Sequence, residues 1–363
     1  MSFTSQQYLH ARAPIDIVID AFLEEEKSRL SSRNDIDEID AWSIQAQGRF
    51  ATLISSSPDT SPELNDEHED VELECDGIDF LPSEKYVQKL LKRYTTRLEM
   101  EGKELEDNNL ASLVCHFSMS RISKLPDPND SCLLTYRVPI VEEEGSLPRQ
   151  TKHDLFRIRV YPHHNDVGVA KLWEAGACLA EYLIQHPDFV QGRRVIELGA
   201  GVGLTGLIAA AMGSESVHMT DYTDATLENL SYNIALNSRF MEDRGIDKST
   251  VSAGNLEWGE YAAQDFCSNA ADVLIAADVV YTVECVPDLV ATVSAFLSSG
   301  RARVALFATT YRNRSTFALF ERELEKKRIL CDYKSQEDMP HVFPCYFNQP
   351  RSDVRICTMT IRE

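Results

Sequence analysis

Acidic side chains recur in or at the ends of apolar runs in the C-terminal half of the chain. Glu197 lies two residues before a set of glycines, whereas Asp221, Glu257 and Asp278 stand at or near the ends of later runs. A buried carboxylate is costly unless it faces a cleft or a partner. Because ligands of open α/β sheets bind beyond the carboxyl ends of the strands, these acids predict a binding cleft at one edge of a sheet.

The glycines lie in the sequence RVIELGAGVGLTG, which covers residues 194 to 206. Its apolar residues at 195, 196 and 198 predict a short buried strand, and an apolar helix is expected to begin at about Leu204. Between the two, Gly199, Gly201 and Gly203 make a turn without Cβ atoms in the way, and Ala200 lies between the first two of them. The backbone of such a turn can approach a nucleotide-like ligand closely.

The charge of Glu197 selects among such ligands. An anion repels a dinucleotide pyrophosphate but suits a cationic amino-acid moiety, and S-adenosylmethionine (AdoMet) carries one. A nicotinamide or flavin dinucleotide is an alternative, although G-x-G-x-x-G fails at Leu204 when counted from Gly199 and is displaced from the strand when counted from Gly201. A purely structural glycine turn is the other alternative.

Two neighbouring strand ends offer further contacts for this ligand. Residues 216–221 predict a strand, and Asp221 at its end can accept hydrogen bonds from both ribose hydroxyls, with a helix N-cap as the alternative role. Residues 251–258 predict a strand whose end presents Glu257, an acceptor for the adenine amino group. Trp258 beside it can pack on the purine face.

Asp278 belongs to an almost wholly apolar run, 272–281, which is typical of a central strand of a parallel sheet. Its carboxylate is therefore a candidate functional group, with capping of the next helix as the alternative. Tyr281 can narrow a channel, form a hydrogen bond or offer its aromatic face to a cation, and a core position is its alternative. Arg312 and Asn313 follow a later strand and either contact a substrate or belong to a solvated loop.

Together these motifs resemble the methyltransferase-16 group of seven-β-strand protein-lysine methyltransferases, over roughly residues 155 to 363. The matching segments are Glu197–Gly203, Asp221, Leu256–Trp258, Ala277–Tyr281 and Val169–Tyr182. Asp278 and Tyr281 match the Asp/Glu-x-x-Tyr/Phe motif that follows the fourth strand in this group. Trp173 matches the tryptophan that lies beside AdoMet, and a core position is the alternative for it.

The resemblance implies a Rossmann-like, seven-stranded AdoMet-dependent methyltransferase sheet with helices on both faces. It implies that AdoMet is held by Trp173, Glu197, Gly199, Ala200, Gly201, Asp221, Glu257, Trp258 and Ala277. Asp278 and Tyr281 are then the catalytic residues of an SN2 transfer to a lysine ε-amine. In this interpretation Asp278 holds the ammonium and positions the amine in line with the methyl group.

A narrower resemblance concerns the elongation factor 2 lysine methyltransferases of the family-with-sequence-similarity-86 type. It is carried by Phe307–Phe320, by the amphipathic segment Ser83–Tyr94 and by the large N-terminal extension. It implies elongation factor 2 as the protein substrate. One departure is Glu257, because these enzymes usually carry Asp at this position.

Composition and charge narrow the function further. The net charge is −22, and acids outnumber bases two to one in residues 1–150. Such a surface argues against direct nucleic-acid binding, which needs clustered Lys and Arg. No apolar stretch has the length of a membrane helix, the N-terminus lacks the features of a signal peptide, and the nine cysteines form no C-x-x-C pair. We therefore expect a cytoplasmic monomer with no membrane association and no metal.

The chain is expected to divide into an N-terminal helical accessory region, 1–130, and a methyltransferase domain, 131–363. The accessory region contains a flexible acidic loop at about 55–79, and helices are predicted over about 15–33, 83–101 and 107–117. Alternating segments at 133–138 and 154–161 predict an antiparallel pair that precedes the catalytic sheet. In a later predicted helix, asparagines either line the site or are solvated and capping, and the second interpretation is favoured: Asn229, Asn233 and Asn237.

Other classes of function share parts of this pattern. A methyltransferase for another protein or for a small molecule would keep the cofactor site, although the N-terminal region is large for a lid over a small ligand. A non-catalytic protein that binds AdoMet or a partner would not need Asp278. A base-flipping nucleic-acid methyltransferase is disfavoured, because Asp278-Val-Val-Tyr281 lacks the prolines of the motifs that stack a flipped base.

Overall fold

The computed structural model describes residues 9, 15–31, 41–55, 84–119, 127–138, 155–259, 271–300, 302–334, 342–343 and 353–362. It divides into two compact units. The first comprises residues 1–127, 132–137 and 344–346, and the second comprises 128–131, 138–343 and 347–363. The sequence-based boundary after residue 130 stays a prediction, and it differs from this division in where the segment 132–137 is placed.

The first unit is helical in its described part. Its elements are α1 (Ile15–Ser31), α2 (Ile44–Ser55), α3 (Glu84–Met100), α4 (Asn108–Met119) and the strand β1 (Cys132–Arg137). Three helices form close to the predicted positions, whereas α2 was not predicted. Aromatic rings contributed by different helices hold the core together, with Phe50 and Tyr94 stacked at 3.7 Å and Phe22 edge-on to Phe50. The predicted acidic loop lies outside the described residues, apart from Ser55, which ends α2.

The second unit contains the predicted seven-stranded sheet, which confirms the expected fold class. It begins with β2 (Leu155–Val160), which lies outside this sheet. The sheet strands are β3 (Arg194–Leu198), β4 (Ser216–Asp221), β5 (Val251–Asn255), β6 (Val273–Ala277), β7 (Val304–Thr310), β8 (Ile329–Lys334) and β9 (Val354–Ile361). Their order in the sheet is β5-β4-β3-β6-β7-β9-β8. The first five strands in this order are parallel to one another, and β9 pairs antiparallel with β7 and β8. The predicted pairing of residues 133–138 with 154–161 stays a prediction.

The helices of this unit pack around the sheet. They are α5 (Val167–Ala170), α6 (Glu174–Gln185), α7 (Leu204–Ala211), α8 (Asp224–Leu236), α9 (Ser238–Glu242), α10 (Val286–Ser298) and α11 (Arg314–Lys326). Both faces of the central strands are buried, because successive residues such as Leu274 and Ile275 are both inaccessible to solvent. None of the helices in the described ranges combines the length and the apolar character that a transmembrane helix needs.

Asparagine side chains form hydrogen bonds to the backbone of β2, a strand that is not part of the seven-stranded sheet. Asn233 accepts from the backbone N–H of Arg159 at 2.8 Å, and its amide group donates to the carbonyl of Val202 at 2.9 Å. Asn237 accepts from the backbone N–H of Arg157 at 2.9 Å and donates to the carbonyl of the same residue at 2.7 Å. Asn229 donates to the carbonyl of Arg159 and accepts from its guanidinium.

These asparagines are buried, so their interpretation as solvated residues is wrong. Asn237 is the C-cap residue of α8, so the capping part of that interpretation holds for this residue alone among the three. They are spaced four residues apart along α8 and its C-cap, which places all of them on the side of the helix that meets β2. The bond from Asn233 to Val202 also connects β2 to the glycine-rich turn. The sequence spacing was visible, but the identity of the partner strand was not.

We expect Asn233→Ala to destabilise the second unit by about 1–3 kcal/mol, because it leaves buried backbone groups without partners. Urea denaturation measures the loss, and Glu228→Ala on the exposed side of the same helix is the matched control. Residue-resolved hydrogen exchange adds a local reading: the amide of Arg159 should lose protection, while that of Arg157, held by Asn237, keeps it. Equal protection of both amides in Asn233→Ala would contradict this account of β2.

Candidate active site

The glycine turn connects β3 to α7 in the left-handed backbone region. Gly199 has φ 63° and Gly201 has φ 54°, values that side chains rarely allow. A Cβ atom on Gly199 would lie 2.9 Å from both Trp258 and Val279, and one on Gly201 would lie 3.2 Å from the carbonyl oxygen of Gly168. Glycine is therefore required here by space as well as by conformation, and the turn offers the bare backbone that a nucleotide-like ligand needs.

Glu197 lies under the start of α7, with only 2 % of its surface exposed. Burial raises its pKa to about 8, against the opposing effects of the Gly206 amide and the Thr205 hydroxyl. Its Oε2 atom has no hydrogen-bond partner among the described residues. A buried carboxyl oxygen without a partner has a free acceptor position for an ammonium group or for a water that carries one.

Asp221 ends β4 beside the turn. Its carboxylate accepts from the backbone N–H of Gly201 at 3.0 Å and from that of Tyr222 at 2.8 Å. Burial raises the pKa of Asp221, and these amides oppose the shift. The N-cap of the following helix is Thr223, so the alternative role of Asp221 as a cap is wrong. Each carboxylate oxygen keeps a second lone pair, which leaves Asp221 able to accept from a ligand hydroxyl.

The remaining predicted cofactor residues lie at the same edge. Trp258 is partly buried and packs against Gly199 and the apolar core. Glu257 is exposed, and the strand before it ends at Asn255, earlier than predicted. Ala277 ends β6, opposite Ala308 of β7. Trp173 is the N-cap residue of α6, and its indole N–H donates to the carbonyl of Val167 at 3.2 Å.

Asp278 follows β6 directly and has φ 57°, an uncommon conformation for a residue with a side chain. Its carboxylate is 4 % exposed. Thr310 donates to both of its oxygens, through the backbone N–H at 3.0 Å and the hydroxyl at 3.1 Å. Arg312 also donates to both, at 3.0 and 2.9 Å. The next helix begins eight residues later, so capping it is not the role of Asp278.

Arg312 connects this acid to the start of α6. One of its Nη atoms donates to Glu174 at 2.6 Å as well as to Asp278. Its guanidinium carbon lies 5.2 Å from the centre of the Trp173 ring, and the ammonium of Lys171 lies 3.9 Å from the same centre. Trp173 is therefore a partly exposed residue flanked by cations rather than a core residue. Arg312 is paired with two acids, so its interpretation as a residue of a solvated loop is wrong, and its contact with a substrate stays a prediction.

Tyr281 is 49 % exposed, which excludes a core position. Burial of its other side and the neighbouring Cys285, Tyr222, Asp221 and Asp166 raise its pKa to about 12. Its hydroxyl is therefore protonated at neutral pH and cannot act as a base. It can form a hydrogen bond or present its ring to a cation.

The sequence missed several of the groups that complete this edge. Thr310 was missed, and Arg312 was singled out without its partner Asp278. Both positions follow from strand order, because β6 and β7 are parallel neighbours whose ends meet at one edge. Asn313, by contrast, is the N-cap of α11. Glu174 lies 138 residues from Arg312 and no local pattern signals it. Asp166 was also missed; it accepts from the Gly168 amide and from the hydroxyls of Thr223 and Thr226, which fixes the segment beside the turn.

The residues fit AdoMet better than a dinucleotide. The turn offers bare backbone at Gly199 and Gly201, and Asp221 keeps acceptor capacity beside it. The unpartnered oxygen of Glu197 suits an ammonium group, which has N–H donors for it, whereas a pyrophosphate has none. Within the described ranges, no group of three His, Cys, Asp or Glu side chains is placed to bind a metal ion.

The fold and the site at this edge of the sheet define a Rossmann-like methyltransferase, and comparison with known proteins identifies its family. The model of the lysine methyltransferase family matches residues 153–326. The protein N-terminal and lysine N-methyltransferase efm7 of Aspergillus fumigatus is 32 % identical over 199 residues, which cover 50 % of this chain and 73 % of that relative. The chain belongs to the lysine methyltransferase family, a family of AdoMet-dependent protein-lysine methyltransferases, and the resemblance read from its motifs is confirmed.

Two further relatives carry protein-lysine N-methyltransferase names. EFM3 of Chaetomium thermophilum is 27 % identical over 66 % of this chain and 72 % of its own length. Human EEF2KMT is 32 % identical over 47 % of this chain. The match spans 54 % of the length of the human protein.

We expect stability to fall with pH between about 4.5 and about 8 because of Glu197. Its pKa in the folded state is about 8, above the ordinary value of 4.5, so the folded protein keeps a proton that the unfolded chain has released. The favourable contribution is complete below the ordinary pKa and is lost as pH rises through the folded pKa. Thermal unfolding of the AdoMet-free protein across this range measures the slope.

Glu197→Gln removes the titrating group and should flatten this part of the profile. Glu215→Gln, an exposed acid replaced in the same way, is the control and should keep the wild-type slope. An unchanged slope in Glu197→Gln would mean that Glu197 is ionised in the folded protein.

Proposed function

We propose that this chain transfers a methyl group from AdoMet to the ε-amine of a lysine in elongation factor 2. The observation that carries the proposal is the common edge of the sheet, where the glycine turn after β3 and the acid Asp278 after β6 lie on adjacent parallel strands. One strand end offers a cofactor site and the next offers a carboxylate for a cationic side chain. The motifs of the narrower resemblance and the relative named EEF2KMT support the choice of substrate.

The geometry of this edge supports a set of proposed cofactor contacts. Glu197 receives the amino group of the methionine moiety on its unpartnered oxygen, and the backbone at Gly199, Ala200 and Gly201 lies along the ligand. Asp221 accepts from the ribose hydroxyls with the lone pairs that its backbone amides leave free. The adenine lies near Trp258 and Glu257, and Ala277 and Trp173 flank the methionine end.

AdoMet supplies a methyl group on a sulfonium, and the lysine nitrogen forms its bond to that carbon as the carbon–sulfur bond breaks. Asp278 orients the acceptor, which is a contribution of positioning more than of base catalysis. A carboxylate is a much weaker base than an amine, so the ammonium proton leaves to water before the transfer. Tyr281 stays protonated and lines the approach to Asp278 with its partly exposed ring.

We further propose that the chain acts in the cytoplasm as a monomer and binds its substrate through protein rather than nucleic-acid contacts. The charge of −22 supports the choice of partner, because it disfavours phosphate backbones and is compatible with a basic protein.

The first experiment is transfer of radiolabelled methyl from AdoMet to purified elongation factor 2, in parallel with an extract of cells that lack this enzyme. We expect one labelled band at elongation factor 2, and digestion should place the label on a lysine. Asp278→Ala should abolish the label while AdoMet still binds, whereas Glu284→Gln, an exposed acid nearby, should leave it intact. Label on a different protein would overturn elongation factor 2 as the substrate, and a fully active Asp278→Ala would overturn the role of Asp278.

The cofactor half of the site is tested separately. Asp221→Ala should weaken AdoMet binding roughly tenfold or more, because two hydrogen bonds to a charged acceptor are lost. Titration calorimetry measures the dissociation constant, with Asp224→Ala at the exposed start of α8 as the control. An unchanged dissociation constant in Asp221→Ala would remove the ribose from its proposed position.

A further inference from the structure

Arg312 lies between two carboxylates and is bonded to both. It donates to the two oxygens of Asp278 at 3.0 and 2.9 Å and to Glu174 at 2.6 Å. The side chain of Asp278 is 4 % exposed and that of Glu174 is 12 % exposed, whereas that of Arg312 is 33 % exposed. The acids are thus fixed within the protein, and the cation between them reaches solvent.

The hydrogen bonds of Asp278 leave no acceptor position for a further cation. A carboxylate offers about four lone-pair sites. Thr310 fills one on each oxygen, and Arg312 fills the other on each. A substrate ammonium can therefore bond to Asp278 only where Arg312 withdraws at least one of its two donors.

Withdrawal of Arg312 would not release the carboxylate from its position. The two bonds from Thr310 come from the adjacent strand and do not involve Arg312, and the backbone N–H of Asp278 donates to Ala308 at 2.9 Å. A buried carboxylate still needs a cation, because an unpaired charge is costly away from water. A lysine ammonium meets that need as well as a guanidinium does.

We propose that Arg312 is a resident cation on Asp278, that the ammonium of the substrate lysine replaces it there, and that Glu174 retains the displaced guanidinium. The inference rests on the proposed function and names two further residues of the acceptor end, Arg312 and Glu174. It makes the site selective for an acceptor that enters as a cation, since a group that arrives neutral cannot displace Arg312 from Asp278. Arg312 retained on Glu174 also places a like charge beside the bound ammonium, which favours loss of its proton to water.

Steady-state kinetics of methyl transfer to the protein substrate test the exchange. In Arg312→Ala no cation has to be displaced, so KM for the protein substrate should fall roughly three- to tenfold. In Glu174→Gln the guanidinium loses the negative charge of its second partner, so KM should rise by a similar factor. In the double variant the Glu174 substitution should have no further effect, because its action runs through Arg312. Arg312→Lys keeps the charge but not the two parallel N–H donors of the guanidinium, so its KM should lie between those of Arg312→Ala and the wild type.

The control is Arg314→Ala, an exposed arginine two residues away, and it should keep the wild-type KM. The dissociation constant for AdoMet, measured by calorimetry, should be the same in all variants and shows that each one is folded. A lower kcat at unchanged KM in both Arg312→Ala and Arg312→Lys would overturn the exchange and make Arg312 a fixed positioning residue.

A second measurement does not depend on the protein substrate. The guanidinium NMR signals of Arg312, assigned by their absence in Arg312→Lys, should change on titration of the AdoMet-bound protein with n-butylammonium chloride, the lysine side chain alone. Equal concentrations of n-butanol should leave them unchanged, because the alcohol carries no charge. Arg312 signals that do not respond to the amine would overturn the inference. Failure of the proposed function is distinct, because the wild-type enzyme would then label no lysine in elongation factor 2.

Discussion

Carboxylates taken out of water have to be compensated, and the candidate site depends on how the fold compensates three of them at adjacent strand ends. Glu197 is compensated by keeping its proton, as its raised pKa shows. Asp221 is compensated by backbone amides and Asp278 by a threonine and an arginine. The parallel order of β4, β3 and β6 brings these acids to the same edge.

The rest of the second unit fixes the backbone that carries these acids. The turn after β3 needs positive φ angles and bare backbone, and the neighbouring Trp258, Val279 and Gly168 leave no space for side chains there. Buried asparagine amides connect α8 to β2 and to Val202 in this turn. Both faces of the central strands are covered by apolar residues, so the strand ends are held by packing rather than by the ligand.

Much of this arrangement could be predicted from local sequence. The strand before Gly199, the helix that begins at Leu204 and the acids at strand ends are set by period and by glycine, which act over a few residues. The partners of the acids could not be predicted in the same way. Glu174 and Arg312 are far apart in sequence, and burial of the asparagines of α8 depends on a strand about seventy residues away. Such contacts follow from tertiary packing, for which spacing along one element gives no signal.

The three ways of compensating charge suit three different ligand groups. In the proposed site, Glu197 loses its proton when the ammonium group of AdoMet arrives, so that a cofactor cation replaces a proton. Asp221 is already stabilised by amides that need not move, and its spare lone pairs suit neutral hydroxyls. Asp278 holds the cation Arg312, and in the proposed exchange this cation gives way to a lysine side chain that enters and leaves in each catalytic cycle. Permanent contacts to amides thus stand where the ligand is neutral, and exchangeable partners stand where it is charged.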